Sequence, residues 1–146
     1  MPFQCAIVTP SDSVLDAPAS YASFQAWDGQ RGVAAGASAF LVKLGVGLVR
    51  VDLQQGGSRT FVVDGGFAQM DGGRLTLLTE RALDPKVIDP SAAQRELADA
   101  NTAVTAANDT PLTLDQRAAL ERRQALARAK VTAAGAAGAG TAASGR

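Results

Sequence analysis

Leu48-Val49-Arg50-Val51-Asp52-Leu53, followed across Gln55-Gly56-Gly57-Ser58 by Thr60-Phe61-Val62-Val63, carries the plainest structural signal in the chain. Val49, Val51 and Leu53 alternate with Arg50 and Asp52, the period-two pattern of a half-buried strand. The glycine pair between the runs suits a hairpin, because tight turns need residues that tolerate positive φ. Downstream, Asp64-Gly65-Gly66 reads as a second turn, into Phe67-Ala68-Gln69-Met70. Asp71-Gly72-Gly73 reads as a third, into Arg74-Leu75-Thr76-Leu77-Leu78-Thr79. Upstream, Phe3, Cys5 and Ile7 alternate in a strand that stops at Thr9-Pro10. A further strand spans Ser20 to Trp27 and ends at Asp28-Gly29. Short strands with frequent turn signals predict an antiparallel sandwich or barrel. In it, Cys5 is a buried structural thiol and Trp27 a core residue at a strand end.

The composition changes beyond this region. Of 30 alanines, 11 lie in residues 1–86 and 19 in the last 60 residues. Asp89-Pro90 is a helix start, with an N-cap carboxylate and a proline where its missing N–H costs nothing. Ala93, Leu97, Ala100, Val104 and Ala107 recur at helical spacing. Asn108-Asp109-Thr110-Pro111 breaks the helix, and Thr113 with Gln116 has the spacing of a capping box. A second helix is predicted from about Leu114 to Val131, with Leu114, Ala118, Ala125 and Ala129 on its weak apolar side. So short a connection makes the two helices antiparallel neighbours. The fold class is thus α+β: an N-terminal antiparallel β-sandwich (1–86), then a C-terminal antiparallel helical hairpin (87–131). The Ala/Gly-rich end (132–146) is expected to be a disordered tail.

Composition also closes off chemistry. There are 14 basic and 14 acidic residues, so no net field draws the chain to nucleic acid. The absence of histidine removes Ser-His and Cys-His nucleophiles and His metal sites. One cysteine makes neither an intramolecular disulfide nor a thiolate zinc site. Gly65-Gly66 and Gly72-Gly73 lack the Lys-Ser/Thr and the helix N-terminus of a phosphate loop, so they are turn glycines. The N-terminus has no signal-peptide pattern and no apolar run is long enough to span a bilayer, so a soluble intracellular protein is expected. No catalytic residue, cofactor site or metal site is predicted. Residues 114–131 hold Arg117, Arg122, Arg123, Arg128 and Lys130 against Asp115 and Glu121, which is either a solvated face or a basic surface for an acidic partner.

The order of these features resembles the epsilon subunit of F-type ATP synthases, the counterpart of mitochondrial delta. Ile7-Val8-Thr9-Pro10 is similar to that family's opening strand, and Gly29-Gln30-Arg31-Gly32-Val33-Ala34-Ala35-Gly36 to its Gly-x-x-Gly-Val-x-Pro-Gly loop. Gly65-Gly66-Phe67 and Leu75–Ala82 resemble its Gly-Gly-Phe strand pair and the ending after it. Ile88-Asp89 and the alanine-rich helices match its helical hairpin. Ala35-Gly36-Ala37-Ser38-Ala39-Phe40 departs from the family's Pro-Gly-His-Ala-Pro-Leu, which should leave a less rigid loop. Ala92 stands where ATP-binding members carry an arginine, so no ATP site is expected.

The resemblance implies a non-catalytic rotor subunit in the central stalk. It would join gamma to the membrane c ring and couple proton flow to ATP synthesis on the cytoplasmic face of the bacterial inner membrane. It implies that Gly29, Gln30, Arg31 and Gly32 face the c ring. It also implies that the hairpin, when extended, inhibits ATP hydrolysis through Arg122, Arg123 and Arg128 against the alpha and beta catalytic subunits. The alternative is a free-standing sandwich-and-hairpin interaction module of another assembly.

Overall fold

The computed structural model describes residues 2–144, without the side chains of 136–144. The chain forms two compact units, Met1–Leu83 and Asp84–Arg146, so the division falls slightly before the expected 86/87.

The first unit holds β1 (Phe3–Val8), β2 (Ser13–Ala26), β3 (Gly29–Ala34), β4 (Phe40–Leu53), β5 (Ser58–Asp71), β6 (Arg74–Leu78) and β7 (Ala82–Leu83). Three of these strands have 14 residues, far more than the short runs legible in the sequence. Each of the three serves both layers. The early half of β2 pairs with β1 and its later half with β3 and β4. The early half of β5 pairs with β7 and its end with β6. The ladders run β1-β6-β5-β4-β2 and return to β1 through its pairing with β2, so the circuit closes. The contact of β1 with β6 is parallel, with Ile7 beside Leu77, a departure from the wholly antiparallel expectation.

The predicted turn at Asp64-Gly65-Gly66 is not a turn. β5 passes straight through it, and the register against β4 is the same on both sides, Val46 opposite Asp64 and Leu44 opposite Gly66. Gly65 and Gly66 do adopt positive φ, 81° and 115°. They bend the strand from one layer to the other without ending its ladder, as glycines at a sheet corner do. Gly45 and Gly47 stand in the facing stretch of β4, where a Cβ would press on the Gln25 side chain and, from Gly45, on the Ala26 carbonyl.

Inward residues of both layers form one core. Phe24, Phe61, Ile7, Leu75, Leu77, Val49 and Val51 are all fully buried. Each such side chain contributes about 1.5–3 kcal/mol on leaving water.

In the second unit, a 3-10 turn (Pro85–Val87) precedes α1 (Pro90–Ala107) and α2 (Leu114–Ser144). Asp89 caps α1 as expected, accepting from the Ser91 N–H at 3.0 Å, with Pro90 in the first turn. Ala93, Ala100 and Ala107 are buried along the predicted stripe. The capping box forms in both directions: Thr113 N–H donates to Gln116 Oε1, and Gln116 N–H to Thr113 Oγ1.

α2 differs from its prediction in two ways. It runs through Thr132–Ser144, which was expected to be a disordered tail; residues 145 and 146 lie outside the described residues. Alanine is the strongest helix former and a helix once nucleated extends cheaply, so an alanine-rich stretch appended to α2 continues it. Its buried face matches only in part. Ala129 is buried and Ala125 half-buried as expected, but Leu114 is 87% exposed and Ala118 exposed, and Ala127, Ala133 and Ala134 are buried as well. With so few large apolar residues, periodicity could not choose a face. Polar pairs bridge the two helices, Gln124 to Asn101 at 2.8 Å and Lys130 to Glu96 at 3.0 Å. No described helix is long and apolar enough to cross a membrane.

Candidate functional site

The segment expected to be a loop, Gly29–Gly32, is the first part of strand β3. A two-residue connection, Trp27-Asp28, joins it to β2, with Ala26 opposite Gly29, Gln25 opposite Gln30, Phe24 opposite Arg31 and Ser23 opposite Gly32. Among the described residues β3 pairs only with β2 and ends the sheet path, so its outer edge stays open. The alternation of burial follows from the pleat: Gln30 and Gly32 are exposed, while Val33 is buried. Arg31 folds back, its guanidinium 5.4 Å from the centre of the Phe40 ring, a cation–π contact that fixes its direction. The Tyr21 hydroxyl covers Gly32 so closely that a Cβ there would overlap it. The four residues therefore form one continuous edge that presents backbone groups and a held cation.

Trp27 is not a core residue. It sits at the tip of this hairpin with 70% of its surface exposed, and its backbone N–H donates to the Lys43 carbonyl at 3.0 Å. Its position in the turn, one residue past the last inward alanine, Ala26, turns it outward. Sequence reasoning also passed over Leu41 and Phe67, which are exposed on the outer face of the sheet. The signal was the alternation of Phe67 with the buried Ala68 and of Leu41 with the half-buried Phe40 and Val42.

Arg122, Arg123 and Arg128 are all exposed on α2. At about 100° of rotation per residue they do not share one face: Arg123 and Arg128 lie on opposite sides of Arg122. Lys130, grouped with them by sequence, turns instead to Glu96.

Cys5 is buried as expected, and burial pushes its thiol up from the ordinary 9.0 to about 12; Asp16 adds to the rise and Arg74 opposes it. Between those values the folded chain keeps a proton that the unfolded chain loses, so stability falls as pH rises from about 9 toward 12. Urea midpoints should decline across that window, and Cys5→Ala should flatten this decline. A thiol reagent at pH 8 should label the chain only in denaturant.

Residues 2–85 match the family described as ATP synthase, Delta/Epsilon chain, beta-sandwich domain. The chain is 36% identical over 100 residues to the ATP synthase epsilon chain of Rhodopirellula baltica, covering 68% of this chain and 77% of that one. Among solved structures, a chain of the Euglena gracilis mitochondrial ATP synthase (OSCP/F1/c-ring, rotational state 1) superposes with a TM-score of 0.74 at 19% identity, over 87% of this chain and 78% of the other. A chain of the Tetrahymena thermophila mitochondrial ATP synthase central stalk and c-ring gives 0.63 at 17% identity, over 90% and 95%. Matched over residues 2–85 by the family's own sequence pattern, and more than 30% identical to one of its members over two thirds of its length, this closed sandwich with its trailing hairpin belongs to the ATP synthase delta/epsilon chain family.

Proposed function

We propose that this chain is the epsilon-type subunit of an F-type ATP synthase, a non-catalytic part of the central stalk. It joins gamma to the membrane c ring and turns with them, on the cytoplasmic face of a bacterial inner membrane. The observation that carries this reading is the open β3 edge at Gly29, Gln30, Arg31 and Gly32, presented by a two-residue hairpin on a closed sandwich. Exposed backbone groups and a fixed guanidinium suit the polar loops of a ring. No cofactor is needed, because the work is mechanical.

The helical hairpin is the regulatory part. Its seam is built from alanines, which bury little area, so its packing is weak relative to that of the sandwich. Opening it costs little, and the exposed Arg122, Arg123 and Arg128 then meet acidic segments of the catalytic subunits. Spread around the helix, they suit a helix enclosed on several sides better than one laid on a flat surface. Deleting residues 84–146 in the assembled enzyme is expected to raise ATP hydrolysis several-fold while synthesis-competent assembly persists. An unchanged hydrolysis rate would remove the inhibitory role, and loss of the subunit from the complex would contradict the division of labour between the two units.

A further inference from the structure

One residue of the open β3 edge runs against the pattern of its strand. Among the described strands longer than two residues, β3 alone has a single partner; β1, β2, β4, β5 and β6 each have two or more. Its six residues present about 20 Å of unpaired backbone, a template on which another strand can add. Gly29, Arg31 and Val33 share the inner side of its pleat. Val33 is buried, and Arg31 stands opposite the fully buried Phe24. Such an inner position calls for an apolar residue. Arg31 instead brings a charge there, its guanidinium 5.4 Å from the centre of the Phe40 ring. It forms no ion pair with a carboxylate among the described residues. An inward charge on an exposed edge is a device that blocks strand addition.

The strand most readily at hand is β3 of a second copy. Two β3 edges related by a two-fold axis meet as an antiparallel pair. Their inner faces coincide only when the numbers of opposed residues add to an even sum, because a shift by one residue turns the inner set outward. Two such registers pair most of the strand. One sets Arg31 opposite its own copy and Gly29 opposite Val33. The other centres on Gly32 and sets Arg31 opposite Val33, which leaves the two arginines diagonal. Opposed residues stand about 5 Å apart and diagonal ones about 7–8 Å. In both registers two guanidinium groups without carboxylate partners come together as water leaves, and like charges so placed are destabilising. A partner with an acidic or uncharged side chain at that place meets no such barrier.

We propose that Arg31 is the specificity determinant of the β3 edge: it excludes a second copy of this chain and reserves the edge for an unlike partner whose facing side chain is acidic or uncharged. This rests on the reading of that edge as a partner-facing surface and deepens it. An edge that must stay free until assembly is thereby kept from pairing with its own kind, and the unassembled chain stays monomeric.

The test uses the purified full chain, with self-association followed by sedimentation velocity and folding by thermal melts. The wild-type chain is expected to stay monomeric up to roughly 200 µM. Arg31→Val should keep the melting curve in place, since valine suits an inner strand position, and should strengthen self-association roughly a hundredfold. Arg31→Lys should stay monomeric, because the charge remains. Arg31→Glu alone should also stay monomeric, since two carboxylates then oppose each other. Its equimolar mixture with the wild-type chain should form mixed dimers that salt weakens. Dimers of the wild-type chain overturn the proposal, as does a monomeric Arg31→Val chain with an intact melt. Equal dimerisation of Arg31→Val and Arg31→Lys assigns the effect to side-chain shape and overturns it too. Where Arg31→Val melts early, the mixture decides: mixed dimers support the proposal and their absence overturns it. Incorporation into an assembly of gamma and the c ring is read separately. A wild-type chain that stays monomeric yet is not incorporated overturns the stalk reading, not the exclusion of copies.

Discussion

Gly66→Ala is expected to remove a large part of the stability of the sandwich. Gly66 has φ 115°, outside the range alanine tolerates, and a Cβ there would run into the backbone carbonyl of Leu78. Backbone strain of this kind costs about 1–3 kcal/mol, and forcing an atom into a packed site about 1–3 kcal/mol more. A carbonyl cannot swing aside as the end of a flexible side chain can, so a total of about 4 kcal/mol is expected. Small domains hold about 5–15 kcal/mol in all, and each kcal/mol moves their melting point by about 4–8 °C. The melting temperature should fall by roughly 20 °C. Gly72→Ala separates the two causes. That residue also has positive φ, 56°, but nothing stands within 4 Å of the added carbon. Its cost should stay near 1 kcal/mol, the strain alone. Equal losses in the two variants would show that the carbonyl contact contributes nothing.

Phe24→Ala is expected to be nearly as damaging for a different reason. Phe24 is fully buried, opposite Arg31 on β3 and Val49 on β4, among the largest side chains of the core. Truncating such a phenylalanine costs about 3–5 kcal/mol, from lost transfer energy and the cavity left behind. The urea midpoint should fall sharply with the slope retained, since the surface exposed on unfolding barely changes. An enzyme assembled with this variant should lose the subunit on mild heating. Trp27→Ala, at the tip of the same hairpin, makes the contrast. A larger residue is removed, yet its 70% exposure predicts a change within about 0.5 kcal/mol.

Trp27 also shows where sequence reasoning stops. Its place at a strand end suggested a core position, but direction at a hairpin tip depends on the two-residue turn, which was not resolved from sequence. The β-sandwich was legible because Val49, Val51 and Leu53 alternate strictly. The helical hairpin was legible because Asp89, Pro90, Thr113 and Gln116 are local signals that act within one turn. Asp64-Gly65-Gly66 was misread because the same residues that reverse a chain can also bend a continuous strand. Only the partner ladder on β4 distinguishes the two, and pairing is not local. The parallel contact of β1 and β6 was hidden for the same reason. Gly29–Gly32 was singled out through resemblance, as a loop, where the structure has an edge strand. Leu41 and Phe67 were not singled out at all, since which face of a strand turns outward is settled only by its packing against the rest of the sheet. The buried face of α2 was met only at Ala129 and in part at Ala125, because its alanines repeat on every side.

The closed circuit of ladders has a mechanical consequence. In an open sheet an edge strand peels away one hydrogen bond at a time, so a small force suffices. Here β1 is held on both sides, by β2 and by β6, and β2, β4 and β5 each link two layers. A twisting load entering at the β2–β3 hairpin is therefore shared by many bonds in shear instead of unzipping them in sequence. In the proposed stalk position the sandwich behaves as a stiff collar, storing little of the torque as its own deformation. The elastic compliance of such a motor then has to reside in other parts.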